Sequence, residues 1–157
     1  MDVKIREANN RDIKAIITLW HHLMDFHRKL DRSFDLNNEA EIRFQDFLTE
    51  NVSNESACVM VADSDGRLVG YMMGIITERP PVFKIAKCGT ITDAFVSSEY
   101  RRGGIGRKLC EAMRKWFYEK GLKRIEMQAA VGNTISNPFW RSMGFKPVLT
   151  TMYIEKD

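Results

Sequence analysis

Apolar and polar residues alternate along this chain with two different periods, and each period predicts one kind of secondary structure. A period of about two residues, which is typical of β-strands, predicts a series of short strands. These strands cover residues 3–7, 57–62, 68–77, 88–96, 124–130 and 148–154. The Asp65-Gly66 pair predicts a hairpin turn between the second and third strands, and Pro80-Pro81 ends the hairpin.

A helical period of apolar residues follows the first strand in two successive segments. Asn9 or Asn10 is expected to cap the first helix, and Asn37 or Asn38 to open the second. The first helix has an apolar face made of Ile13, Ile16, Ile17, Trp20, Leu23, Met24 and His27. The candidate core positions of the second helix are Ile42, Phe44, Phe47 and Leu48.

A third helix is predicted from about Gly104 to Lys120, with Gly121 as its C-cap, and a short fourth helix over residues 137–142. The resulting order is β-α-α-β-β-β-α-β-α-β. Three consecutive strands with short connections cannot all be parallel. We therefore expect an α/β (α+β) fold with one domain over residues 1–157, in which helices cover both faces of a mixed, mostly antiparallel central sheet.

Composition narrows the class of protein further. The chain has 157 residues, 44% apolar and 29% charged, which is ordinary for a soluble globular domain. We expect a cytoplasmic protein, because no stretch resembles a signal peptide or a membrane span. The cysteines are odd in number and lie in apolar contexts, so we expect them to be buried and unpaired: Cys58, Cys88 and Cys110. No histidine has a metal-ligand spacing, and the net charge of +3 is too small for a nucleic-acid surface.

A glycine-rich loop, RRGGIGRK, lies where the fourth strand gives way to the third helix. The first N–H groups of a helix have no intrahelical partner and carry partial positive charge, so they attract anions. Glycine lets a phosphate approach these groups, and arginine adds full charge. The loop lacks the Walker pattern, and Leu109 occupies the third glycine position of a Rossmann fingerprint. A pyrophosphate ligand is therefore favoured over a tight turn with solvated basic residues.

The remaining pattern, R-x-x-G-x-G at residues 101–106, resembles the coenzyme A loop of the GNAT superfamily of acetyl-CoA-dependent N-acetyltransferases. It follows Asp93-Ala94-Phe95-Val96, which matches the D-x-x-V of that family's preceding strand. Downstream, Asn133, Ser136, Phe139-Trp140 and Gly144-Phe145 resemble the family in order and spacing. The resemblance covers almost the whole chain. It implies acetyl-CoA as co-substrate and a sheet that opens beside Val96 to hold the pantetheine arm. No metal is expected, because no Cys or acidic residue stands at a familiar metal-ligand spacing from the histidines.

The resemblance also implies which residues touch the cofactor. They are Phe95, Val96, Arg101, Arg102, Gly103, Gly104, Ile105, Gly106, Arg107, Asn133 and Trp140. Asn133 has an alternative role as a turn former at the end of a strand. Trp140 stands where many family members have a tyrosine that protonates the thiolate, and an indole N–H cannot act as that acid. Tyr153 in the last strand, or Tyr100 before the loop, could protonate the thiolate instead. The alternative for each is a half-buried tyrosine that only contributes to packing.

Asp93 is the first candidate for the base that deprotonates the acceptor, because an alkylammonium group has a pKa of about 10.4. An aspartate in an otherwise apolar strand needs a partner, so a purely structural carboxylate is the alternative. The acidic segment with Asp25, Asp31, Asp35 and Glu39 would suit a cationic acceptor, or is a solvated helix end.

The sequence thus predicts an enzyme that transfers an acetyl group to a primary amine of a small molecule or peptide by direct attack in a ternary complex. The alternative is a non-catalytic acyl-CoA-binding sensor or regulatory domain. Homodimers are common in the family, so a homodimer is expected, with no nucleic-acid or membrane partner.

Overall fold

The structure, a computed structural model in which residues 2–157 are described, is built on a five-stranded sheet. Its strands are β1 (Val3–Glu7), β2 (Ala57–Ser64), β3 (Arg67–Glu78), β4 (Lys87–Val96) and β5 (Ile125–Met127). Its helices are α1 (Ile13–Arg28), α2 (Ala40–Asn51), α3 (Ile105–Glu119) and α4 (Ser136–Ser142). Short 3₁₀ turns at Asn10–Asp12, Arg32–Phe34 and Ser98–Tyr100 connect them.

The strands lie side by side in chain order, from β1 to β5. All neighbouring pairs are antiparallel except β4 and β5, which are parallel, so the expected mixed sheet is confirmed. The predicted hairpin turn is confirmed as well. Asp65 and Gly66 have φ angles of +50° and +89°, the left-handed pair that a two-residue hairpin turn requires.

Helices cover both faces of the sheet and divide the core in two. On one face α1 and α2 pack against Val59, Val61, Tyr71 and Met73. On the other face α3 packs against Met60, Met72 and Ile91, together with Trp140 of α4. The Phe117 ring of α3 lies directly on two strand glycines: an added Cβ would be 2.7 Å from the ring at Gly74 and 2.6 Å at Gly89. These glycines allow α3 to approach the sheet closely.

The entry into α1 is held by a polar network between the first two strands. The Asn9 side chain and the Asp12 carboxylate form a capping box around the 3₁₀ turn that leads into the helix. The Arg6 guanidinium donates to Asp12 Oδ2 at 2.8 Å and to Asp63 Oδ2 at 3.0 Å. Arg6 thereby joins β1, the start of α1 and β2. Within residues 2–157, no helix is long and apolar enough to cross a membrane.

Two of the predicted elements differ from the structure. The expected final strand over residues 148–154 is wrong: these residues form no strand, and Val148 and Leu149 are exposed. The predicted strand over 124–130 is shortened to Ile125–Met127. Alternation of apolar and polar residues favours an extended backbone, but a strand also needs a neighbouring strand to pair with. The edge strand β5 has only three residues, which is too short to pair with the seven residues 148–154.

In α2 the predicted core positions are only partly correct. Leu48 is fully buried and Phe44 is half-buried, stacking on Trp20 at 4.3 Å. Ile42 and Phe47 are exposed, because α2 lies at the margin of the sheet and only one narrow stripe of it reaches the core.

Candidate active site

The site begins at a bulge in β4. Asp93 pairs with Met73 and Ile91 pairs with Gly74, so Thr92 is an extra residue in β4. Such a bulge reverses the alternation of side chains along the strand. Ile91 therefore belongs to the α3 side of the sheet, whereas Phe95, and with it Asp93, faces α1.

Beyond the bulge, the sheet is open along one side of β4. β5 pairs with β4 only at Gly89, Thr90 and Ile91. Residues 92–96 have no strand on that side in the described part of the chain. Their free peptide groups can pair with an extended ligand, as an added strand would. This geometry is the opening beside Val96 that the sequence resemblance implied.

The glycine loop presents a row of free backbone donors at the N-terminus of α3. Arg101 N–H still donates to Ser98, and Lys108 N–H donates to the Gly104 carbonyl at 3.0 Å. Between them, the N–H groups of residues 102–107 have no acceptor among the residues described. Arg102 and Gly104 have φ angles of +66° and +80°, which curve the loop around these donors. The positive end of the helix dipole adds to their attraction for an anion.

The basic side chains of the loop take two positions. Arg101 folds back, with its Nε donating to the Val96 carbonyl at 2.9 Å and its guanidinium 5.7 Å from the centre of the Phe95 ring. Arg102, Arg107 and Lys108 are exposed at the mouth of the loop. Arg101 thus joins the loop to the open end of β4, while the others provide positive charge.

Phe139 of α4 lies beside the first turn of α3, although the sequence gave no reason to include it in the site. A Cβ at Gly106 would stand 3.4 Å from its ring, so Phe139 borders the row of donors. The aromatic pair Phe139-Trp140 was noticed only as a family feature. Its contact with Gly106 depends on how α4 packs, which no local pattern encodes.

Asn133 and Trp140 are both buried near this end of the sheet. The Asn133 side-chain oxygen accepts from Ser136 N–H at 3.0 Å, and so caps the start of α4. Its amide nitrogen has no partner among the residues described, which leaves a donor for a ligand. The Trp140 ring packs edge-on between Phe139 and Phe145, at 4.9 and 5.5 Å. This packing gives the indole a structural role.

Asp93 makes its main contact with a buried tyrosine. The Tyr71 hydroxyl donates to Asp93 Oδ2 at 2.8 Å, and Tyr71 is completely buried. Burial raises the pKa of Asp93 above its usual range, although the Tyr71 hydrogen bond and the nearby His27 act in the opposite direction. The α1 side of this site also contains His22, whose ring centre is 6.1 Å from that of Phe95.

The two tyrosines that were expected to replace a general acid are not equivalent. Tyr153 is 75% exposed and lies outside any strand, so its expected place in a closing strand is wrong. Tyr100 is half-buried and packs against the α3 side of the core.

The acidic residues around the end of α1 make local contacts, and two of the four are paired with an arginine. Asp25 pairs with Arg28, and Glu39 pairs with Arg43 at 2.6 Å. The Asp31 carboxylate accepts from Ser33 N–H. These contacts favour the solvated helix end over a surface that recognises a cationic acceptor.

The fold, with a glycine loop at the N-terminus of α3 beside the open side of β4, defines a class of protein, the acyltransferases. The sequence model of the protein family described as the acetyltransferase (GNAT) family matches residues 17–145 of the chain. The chain therefore belongs to the GNAT family, the acetyl-CoA-dependent N-acetyltransferases.

Individual relatives resemble the chain over different lengths. An N-alpha-acetyltransferase of Sulfurisphaera tokodaii is 29% identical over 65% of this chain and 64% of its own length. The solved structure of a tetramutant of the BH1408 protein of Bacillus halodurans is 25% identical, with a TM-score of 0.84 over 98% of this chain and 99% of that one. A predicted acetyltransferase of Clostridium acetobutylicum, solved with acetyl-CoA, has the same fold at 15% identity, with a TM-score of 0.80 over 98% and 96%.

Proposed function

We propose that the protein transfers the acetyl group of acetyl-CoA directly to a primary amine of a small molecule or peptide. The single observation that carries the proposal is the row of free N–H groups at residues 102–107, next to the open side of β4. The row has the donors for the pyrophosphate of coenzyme A, with Gly103, Gly104 and Gly106 giving close access. Residues 92–96 have the free peptide groups for the pantetheine arm.

Further contacts to the cofactor follow from the same arrangement. Arg102 and Arg107 supply charge around the pyrophosphate, and Ile105 N–H belongs to the row of donors. Arg101 keeps the end of β4 next to the loop through its bond to the Val96 carbonyl. The free amide nitrogen of Asn133 donates to a carbonyl of the pantetheine arm. Phe95 and Trp140 border the arm without reacting.

In the proposed reaction, Asp93 takes a proton from the acceptor ammonium, and the freed amine attacks the thioester carbonyl. Its raised pKa makes the Asp93 carboxylate a better proton acceptor than an ordinary aspartate. The tetrahedral oxyanion accepts a hydrogen bond from a backbone N–H of β4, for which Val96 is the candidate. The nitrogen of the tetrahedral intermediate loses its second proton to solvent as the C–S bond breaks. The departing thiolate takes a proton from solvent or from Tyr100, because Trp140 has no acidic group and Tyr153 is exposed.

The proposal is tested by calorimetric titration of acetyl-CoA into the wild type and into a Gly104→Glu, Gly106→Glu double variant, followed by a thiol-release assay with pooled amines. The carboxylates would repel the pyrophosphate and fill the cradle. A Gly132→Glu variant is the control, because Gly132 is exposed and has open space around it.

We expect binding by the wild type and the control, none by the double variant, and thiol release with at least one amine. The acceptor can then be found by dividing the pool. Binding without release would favour the sensor function, for which the buried Trp140 indole is the supporting observation. Absence of binding by the wild type would contradict the proposal.

A further inference from the structure

Tyr71 is the largest fully buried side chain in the structure, and it lies in an otherwise hydrocarbon cluster under α1 and α2. Its neighbours there include Ile16, Val61 and Met73. A phenylalanine would fill the same volume without placing a hydroxyl in an apolar environment. The hydroxyl therefore requires a partner, and Asp93 Oδ2 at 2.8 Å is that partner.

The backbone register explains why these two side chains meet. Tyr71 pairs with Phe95 across β3 and β4, and Asp93 is two residues away on the same face. Diagonal neighbours of this kind lie within reach of a long aromatic side chain. Without the extra residue Thr92, Asp93 would lie in another register. The bulge thus brings the only carboxylate of β4 against the only tyrosine of β3.

The bond occupies one carboxylate oxygen. Oδ2 accepts from Tyr71, and Oδ1 accepts no hydrogen bond of normal length among the residues described, although the nearby Thr92 hydroxyl also lowers the pKa of the Asp93 carboxylate. Burial and the Asp93 charge raise the pKa of Tyr71 well above its usual value, so the hydroxyl remains a donor throughout the neutral range.

We propose that Tyr71 is a positioning residue for acetyl transfer: its hydroxyl holds Oδ2 of Asp93 and directs Oδ1 to the acceptor amine. The inference rests on the proposed function, in which Asp93 is the base. The ammonium proton moves to Oδ1, the nitrogen lone pair becomes free to attack, and Tyr71 donates to Oδ2 in both protonation states. Tyr71 itself does not touch the substrate.

Two other residues act on Asp93 or lie next to it, and neither is changed by the substitutions at Tyr71 and Tyr118 that test this inference. His27 of α1, the helix that Asp93 faces, lowers the pKa of the Asp93 carboxylate. Its Nδ1 donates to the Leu23 carbonyl at 2.9 Å, which fixes the ring. Thr92, in β4 itself, makes a long bond of 3.4 Å to the Met73 carbonyl.

The test compares the wild type with Tyr71→Phe and with Tyr118→Phe, which removes an exposed hydroxyl from α3. The measured quantity is kcat/KM for the amine as a function of pH. In Tyr71→Phe the acidic limb of the profile should move upward by on the order of one pH unit, since the charged form loses a hydrogen bond. The KM for acetyl-CoA should not change. An unmoved limb, or an equal loss of acetyl-CoA affinity, would overturn the inference.

A second readout does not depend on turnover. In ¹³C NMR the titration of the Asp93 carboxyl carbon should shift upward in Tyr71→Phe and not in Tyr118→Phe, and an unchanged titration contradicts the inference. Full activity of Asp93→Asn would also overturn the inference, but it would not contradict the proposed binding of acetyl-CoA. Loss of acetyl-CoA binding by the wild type would instead contradict the proposed function, and the NMR titration would still decide the Tyr71–Asp93 pair.

Discussion

A carboxylate among apolar side chains is costly for the folded protein, and Asp93 is in that position. Its ionised form loses hydration, and one hydrogen bond from Tyr71 replaces only part of what water supplied. The same burial raises the pKa of Asp93 and makes it a stronger base. At this residue, stability and the proposed catalysis are in conflict, as is common at active sites.

Asp93→Asn should therefore stabilise the protein while it removes activity. A group with a raised folded-state pKa contributes its full stability below its unfolded pKa of about 3.9 and loses it as pH rises through the folded-state pKa. The melting temperature of the variant should equal that of the wild type in acid and exceed it at neutral pH. The value of kcat should fall roughly 100-fold or more, with acetyl-CoA affinity retained. Thermal unfolding at several pH values and steady-state kinetics measure both effects. A variant less stable than the wild type at pH 7 would show that the ionised carboxylate is structural.

Gly89→Ala tests the contact between α3 and the sheet. The added methyl would stand 2.6 Å from the Phe117 ring, which is completely buried. Overpacking of this kind costs about 1–3 kcal/mol. Gly132→Ala is the matched control, because nothing lies within 4 Å of its added methyl. Urea unfolding of both variants gives the two free energies, and equal values would mean that the ring has room to move.

Sequence reasoning reached some of these residues and not others. Asp93 is a candidate from the sequence alone, because an acidic residue in an apolar strand needs a partner, and its role as base stays a prediction. Tyr71 is not, since its partner lies 22 positions away and the register that joins them depends on a bulge. Alternation gives the face of each side chain within one strand. It does not give the position at which two strands are aligned, because that depends on the packing of both layers.

At the scale of elements, the start of α1 is fixed more by charge than by helix propensity. The Asp12 carboxylate caps the first turn and pairs with Arg6, which also binds Asp63. The Arg6 hydrogen bond, opposed by burial, lowers the pKa of Asp12 below its usual value. Three elements are thereby fastened at one point.

Asp12→Asn should destabilise the protein by roughly 2–4 kcal/mol, because it leaves Arg6 partly unpaired in a half-buried site. A group with a lowered folded-state pKa contributes its stability above its unfolded pKa of about 3.9 and loses it as pH falls through the folded-state pKa. The difference in unfolding free energy from the wild type should therefore be largest at neutral pH and shrink in acid.

Unfolding by denaturant at pH 7 and below pH 3.9 measures this difference. Glu39→Gln, which breaks an exposed pair with Arg43, should change stability by no more than about 0.5 kcal/mol. Equal effects of the two substitutions would contradict this account.

The elements themselves were predictable where the local signal was sufficient. The strand Val3–Glu7, the hairpin at Asp65-Gly66 and the C-terminal cap of α3 at Gly121 agree with the structure. The segment 148–154 does not, although it alternates as clearly as the others. Its end is joined to the rest by an ion pair of Arg32 with Glu155 at 3.6 Å. A segment becomes a β-strand only when it pairs with another segment, and the sequence of the first segment does not show whether such a partner is available.

For the whole molecule, β4 divides the proposed reaction between two layers. The glycine loop continues from β4 into α3 on one face, whereas Asp93 and Phe95 face α1 on the other. Donor and acceptor would thus approach from different sides and meet at the open side of residues 92–96. The sequence predicted that the glycine loop precedes α3, because the residues of the loop are contiguous. It did not predict the surroundings of Asp93, which are assembled from helices and strands far apart in the chain.

This division predicts how the molecule responds to its cofactor before any acceptor is known. A ligand that binds only the folded state, present at 100 times its Kd, adds about 2.7 kcal/mol of stability. For a domain of this size that corresponds to a rise in melting temperature of roughly 5–11 °C with acetyl-CoA. The Gly104→Glu, Gly106→Glu variant should show no rise, and Asp93→Asn should show the full rise, because its carboxylate lies on the acceptor side. Differential scanning fluorimetry across a titration of acetyl-CoA measures all three proteins. If Asp93→Asn also lost the rise, the carboxylate would belong to the cofactor site, and the two-sided arrangement would be wrong.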